Sequence, residues 1–206
     1  MIRNVANKTV YTSVPMLAIF LVIIITTRIA YLIIHKEKFS FHKECYKLFF
    51  ISYFLLLFQL VTSSDISAHG GFNYILFTEI FRYEIGSKLF ILNVAGNIIL
   101  FVPFGYFIAD YLKSNKILPI LGISFVTSLC IELVQLYIGR SFDVDDILLN
   151  CIGGILGFVL NRFLNKVNDH LPKFLRSDIF YNILCIIIIA VFYLYLKGYI
   201  NVGVLL

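Results

Sequence analysis

The stretch IGRSFDVDDILLN, residues 138–150, is the one place in the chain where charge is dense, and it lies between two long apolar runs. One arginine and three aspartates fall where a lipid-embedded helix would leave or enter a bilayer. Ionisable groups are expensive at membrane depth and mark pairing or function there. How this stretch is read therefore decides both the fold and the place to look for chemistry.

The two flanking runs belong to a set of six apolar segments, 14–34, 46–62, 89–112, 117–138, 147–164 and 179–196. A helix crosses a bilayer with about 20 apolar residues, and 46–62, 147–164 and 179–196 are the shortest of the six. The 206-residue chain is 60% hydrophobic and 14% charged, with a mean hydropathy of +0.92, far from the balance of a soluble domain. These features predict an all-α fold: a polytopic integral membrane helix bundle with five or six transmembrane helices. Most connections are brief, and no Pro/Gly/Ser-rich linker, low-complexity tract or repeat divides them, which predicts a single membrane domain over 1–206. The longest connection, 63–88, contains GFNYILFTEIF (71–81), an aromatic run interrupted by polar residues that reads as an interfacial helix.

Charge sets the orientation. Of 17 Lys and Arg, ten fall on one side, in the loops 36–47, 113–116 and 162–176, and six on the other: Arg3, Lys8, Arg82, Lys88, Arg140 and Lys197. By the positive-inside rule the ten are cytoplasmic, and both termini and the Arg140–Asp146 loop are outside. The formal charge of +5 then follows from topology and calls for no nucleic-acid partner. Arg3 and Lys8 precede the first apolar run as in a signal peptide, but no small-x-small cleavage site follows and five further spans do, so the first segment reads as an uncleaved helix. Arg28, six residues before the end of its span, is placed to snorkel toward the cytoplasmic surface. Cys45, Cys130, Cys151 and Cys185 are widely spaced and read as small apolar residues, neither metal ligands nor disulfide partners. His35, His42, His69 and His170 fall in loops and show no metal spacing. His-Glu-x-x-His, Gly-x-Ser-x-Gly and phosphate-loop signatures are absent.

The polar residues within the spans are Asn93 and Asn97 in the third, Glu132 and Gln135 in the fourth, and Asn150 at the start of the fifth. At about 1.5 Å per residue all five lie within roughly 12 Å of the same membrane face, whichever face is outside. Asn93 and Asn97 are spaced i, i+4 and Glu132 and Gln135 i, i+3, so each pair shares a helix face. Asp143, Asp146, Asn150, Gly153 and Gly157 step by 3, 4, 3 and 4, one stripe with acids at the water end and glycines deeper. The glycines would let this helix approach a neighbour closely. Asp145 falls about 100° from Asp146 on such a helix, which predicts a solvated, replaceable charge, while Asp143 is placed to cap the helix. Glu132 needs neutralising, pairing or hydration, and Arg140, two turns on, is the partner expected. Pro103 predicts a kink below the Asn pair.

The combination of NVAGNIILFVPFG (93–105), ELVQ (132–135) and RSFDVDDILLNCIGG (140–154), in that order, closely resembles the VanZ-like family of bacterial membrane proteins. The shared motifs cover about 90–160. The first two segments match the family only in being apolar, and 179–196 looks like an additional C-terminal transmembrane helix. The resemblance implies a multi-pass protein of the bacterial cell membrane. It also implies an association with low-level resistance to teicoplanin, a lipid-tailed glycopeptide that acts on the outer face of that membrane, without altered peptidoglycan precursors. It implies no assigned reaction.

Three functions fit these residues. In the first, Asn93, Asn97, Glu132, Gln135, Arg140, Asp143, Asp146 and Asn150 surround a polar pocket at the outer leaflet that engages a membrane lipid headgroup or another amphiphile. There Arg140 contacts an anionic group, the amides supply hydrogen bonds, and the aspartates hold Arg140 or a divalent cation. In the second, the chain is an enzyme acting on a lipid-linked envelope substrate, with Glu132 as general base and Asp143 and Asp146 as ligands of a divalent cation. No other cofactor is implied. In the third, it is a transporter or scaffold in which the polar cluster is a structural bolt.

Overall fold

The computed structural model describes residues 2–62, 71–78 and 80–196. His69 and Lys197 lie outside the described residues. In chain order the elements are α1 (Ile2–His35), α2 (Phe41–Thr62), β1 (Phe72–Asn73), a 3-10 turn (Ile80–Arg82), α3 (Lys88–Phe90), a π-helical segment (Ile91–Ala95), α4 (Gly96–Leu112), α5 (Ile117–Tyr137), β2 (Phe142–Asp143), α6 (Val144–His170) and α7 (Asp178–Leu196). The fold is an all-α membrane helix bundle. Among the described residues, four helical stretches are long and apolar enough to cross a bilayer: Ala18–His35, Lys88–Leu112, Ile117–Tyr137 and Val144–His170. In α2, Lys43, Glu44 and Lys47 occupy the first turns, and the apolar stretch described in α7, Asp178–Val191, is shorter.

Helix ends follow local chemistry. Lys36 and Lys113, with φ of 50° and 48°, take the left-handed conformation just past α1 and α4, the usual way for a helix to stop. Ser87 starts α3 by accepting the Phe90 N–H at 3.2 Å, as N-cap serines do. The α6 helix runs to His170, well past the apolar limit at residue 164. At 1.5 Å per residue it is about 40 Å long, which exceeds the roughly 30 Å hydrocarbon core. His35, His42 and His170 lie in the terminal turns of helices rather than in loops.

The chain forms two compact units, Met1–Leu55 with Asn168–Leu206, and Leu56–Val167. In the first, Arg28 is paired rather than merely snorkelled. Its guanidinium bonds Glu44 at 2.8 Å and 2.9 Å and Glu37 at 3.0 Å, and it lies 5.0 Å from the centre of the Tyr31 ring. The Arg28 bond holds the Glu44 carboxyl down to about 2, below its ordinary 4.5. Lys43 pairs with Asp178 at 2.9 Å, and the His42 backbone N–H donates to Asn182 at 2.8 Å.

The second unit is built on α4, α5 and α6. Phe101, Phe104, Phe107, Ala109 and Ile120 are buried in it, while Ile99, Phe125, Val126, Leu156 and Val159 are exposed on its outside, as lipid-facing positions require. Contact between α4 and α6 is backbone to backbone. A Cβ on Gly105 would fall on the Gly154 backbone, and one on Gly157 would fall on the Val102 carbonyl. The glycine stripe therefore docks α6 as its spacing predicts. Toward α5, Gly154 meets the Ser124 hydroxyl and Asn150 donates to the Ser128 hydroxyl at 2.8 Å.

One expectation changes here. The segment 71–81 is not an interfacial helix: Phe72–Asn73 pairs as a parallel strand with Phe142–Asp143, and the chain then turns through Ile80–Arg82. Backbone groups that an isolated helix would satisfy internally are satisfied by the α5–α6 junction instead. The helix runs unbroken through Pro103, since α4 spans Gly96–Leu112. The irregular turn is the π segment at Ile91–Ala95, around Asn93.

Candidate functional site

The site is assembled at the junction between α5 and α6. Gly139, with φ of 91°, closes α5: its N–H donates to Leu136 at 3.1 Å and the Arg140 N–H donates to Gln135 at 2.9 Å, the paired bonds of a Schellman ending. This turn folds Arg140 back over the last turn of α5. With the Gln135 amide oriented so that both its ends are satisfied, its oxygen accepts from Arg140 Nη1 at 2.8 Å and its nitrogen donates to Glu132 Oε1 at 3.0 Å. Glu132 is 1% exposed, and its Oε2 accepts the Asp143 N–H at 2.9 Å. Glu132 and Arg140 are thus joined through Gln135, where sequence spacing pointed to direct pairing.

The aspartates divide the remaining work. Asp143 Oδ1 accepts the Asp145 N–H at 2.9 Å, which caps α6, and also the Asn73 amide at 3.0 Å. Asp146 accepts from the Asn97 amide, which ties α6 to α4. Asp145 is the correction. It is not a solvated charge but 0% exposed, and its two oxygens accept the backbone N–H groups of Phe77 at 2.5 Å and Ile80 at 3.2 Å. Phe77 has φ of 71°, so Asp145 holds a tight turn of the 71–82 loop against the helix start. The 100° offset from Asp146 is real, but the face it turns to is covered by that loop.

Two cavities open here. One, of about 240 Å³, is lined by Asn97, Glu132, Gln135, Arg140, Asp146 and Asn150 together with Leu57, Leu100, Phe101 and Ile131. The other, of about 230 Å³, is lined by Asn93, Asn97, Arg140, Asp143, Asp145 and Asp146 with Ile80, Val94 and Leu149. Asn97, Arg140 and Asp146 belong to both. All eight residues singled out from the sequence line one or the other, Asn93 as an exposed residue on the second. Among the described residues, neither wall includes a hydroxyl or thiol side chain. Among the described residues, no group of three or more His, Cys, Asp or Glu is arranged to hold a metal ion.

Sequence reading missed several members. Ser124 and Ser128, fully buried, continue the α5 face at i−8 and i−4 from Glu132, a spacing that was available. Asn161, 2% exposed, extends the α6 stripe by four from Gly157 and was equally legible. Gly139 follows directly after an apolar run, which is a recognised helix-stop signal. Asn73 carried no local signal at all.

The fold and the site define a class: a multi-pass helical membrane protein whose polar residues gather at one end of a three-helix core. Comparison with known proteins narrows this. The VanZ/LLP1 family profile matches residues 14–165, and the chain belongs to that family. The match takes in the first two helices as well as the motif core, and ends before α7. Among curated proteins, Protein VanZ of Enterococcus faecium is 31% identical over 106 residues, 51% of this chain and 65% of that protein. The chain thus spans just under two thirds of that relative's length. No solved structure matches.

Proposed function

We propose that the paired cavities form an amphiphile-binding pocket at the outer leaflet of the bacterial cell membrane, and that occupying it modulates tolerance of teicoplanin-type lipoglycopeptides. The observation that carries this reading is the mixed wall of the larger cavity. Six polar or charged side chains face four apolar ones, and the polar ones come from helix ends at one end of the bundle. An amphiphile needs both kinds of surface, whereas a purely structural polar bolt needs no apolar wall. The outer leaflet follows from the ten-to-six bias of Lys and Arg, and the drug class from family membership. The test is to express the chain in a susceptible bacterium and compare tolerance of a lipid-tailed glycopeptide with tolerance of one lacking the tail. A larger increase for the tailed drug is expected, and equal increases for both would remove the membrane-amphiphile role.

A further inference from the structure

Charge around the two cavities narrows what the pocket takes. Among the described residues, Arg140 is the one basic side chain in either lining, which also holds Glu132, Asp143, Asp145 and Asp146. A plain anion drawn to Arg140 would also meet the aspartates of the same lining, a repulsion that grows in a low-dielectric site. A ligand that brings a cation as well as an anion matches the wall. Asn97, Arg140 and Asp146 line both spaces, so a molecule held on these three side chains borders both. On the side of the larger cavity it meets Leu57, Leu100, Phe101 and Ile131. On the side of the smaller one it meets Asn93 and the aspartates.

Resting on the pocket reading above, we propose that the ligand is a zwitterionic phospholipid headgroup of the phosphoethanolamine type. Its phosphate lies on Arg140 with the Asn93 and Asn97 amides, its ammonium lies by Asp146 and Asp143, and its chains leave along the apolar wall. A guanidinium suits a phosphate's geometry, and the carboxylates accept the three donors of an ammonium. Asp145, whose two oxygens accept loop N–H groups, contributes field and not a contact.

The experiment uses the purified full chain in a neutral detergent, titrated with dihexanoyl-phosphatidylethanolamine, dihexanoyl-phosphatidylglycerol and free phosphoethanolamine, with binding followed by the thermal-aggregation midpoint. The ethanolamine lipid is expected to bind about ten-fold more tightly than the glycerol lipid, the scale of one charge-assisted hydrogen bond. Asp146→Asn is expected to remove that preference, and Arg140→Ala to weaken both lipids. Because Asp146 also bonds Asn97, the exposed Asn93 gives a second handle that leaves the packing alone: Asn93→Lys should tighten the glycerol lipid selectively. Equal or tighter binding of the glycerol lipid, still lost in Arg140→Ala, would overturn the zwitterion and leave the pocket standing. Free phosphoethanolamine binding as tightly as the lipid would overturn the lipid as the source. Binding of no probe, or binding indifferent to Arg140→Ala, would overturn the pocket itself.

Discussion

Asp145 and Asp146 are neighbours in sequence with separate tasks, and the difference is readable in their partners. Asp145 bonds the backbone of a loop 65 and 68 residues away, whereas Asp146 bonds Asn97, and both line the cavities. Asp145→Ala leaves two backbone N–H groups without an acceptor, a loss of about 1–3 kcal/mol for each one that stays buried. The expected outcome is a lower thermal-aggregation midpoint and lower membrane abundance, with Ser141→Ala at the wild-type level because Ser141 is exposed. A wild-type midpoint in Asp145→Ala would mean the loop does not depend on that carboxylate. The helix phase of Asp145 was legible from the sequence, and its burial was not. Spacing within a helix says which way a side chain turns, while the loop that covers it follows a strand brought in by tertiary pairing of Phe72–Asn73 with Phe142–Asp143.

At the scale of elements, the three-helix core depends on two devices: glycine contacts between α4 and α6, and the Asn150–Ser128 hydrogen bond between α6 and α5. Gly105→Val forces α4 off Gly154, and overpacking of this kind costs about 1–3 kcal/mol or more. Gly96→Ala meets nothing within 4 Å and, as a helical position, is expected to be neutral or stabilising. Membrane abundance of the two variants checks this: a strong fall for Gly105→Val beside none for Gly96→Ala is expected, and equal behaviour would dissolve the close-packing account. In the α1–α2 corner, the Arg28 bond that holds Glu44 near 2 contributes stability above the carboxyl's ordinary 4.5 and loses it as pH falls toward 2. Melting of Arg28→Gln against wild type should therefore show a gap at pH 7 that narrows as pH drops through that window. A gap independent of pH would assign the effect to packing. The glycine stripe was visible in the sequence because it follows helical period. Which helix it faces was not, since small residues give a contact distance but no partner.

For the molecule as a whole, hydropathy placed the helices, because bilayer thickness dictates the length of an apolar run. It did not place their ends: α6 continues through polar residues to His170, where water replaces lipid and hydropathy carries no information. Orientation is a matter of charge count, and Ser141→Cys tests it in a chain whose four native cysteines are replaced. Labelling of intact cells by a membrane-impermeant thiol reagent is expected. Labelling only after permeabilisation would place the Arg140–Asp146 loop in the cytoplasm. The central claim is that the residues around Arg140 form a pocket whose role is separable from holding the helices together. The most direct test is teicoplanin tolerance in cells expressing Arg140→Ala, normalised to membrane abundance and read beside the thermal-aggregation midpoint. Tolerance per unit of membrane protein at the level of cells without the protein, beyond what any fall in abundance or midpoint accounts for, is the predicted result. Tolerance that falls only in proportion to lost protein, or does not fall at all, would contradict the claim.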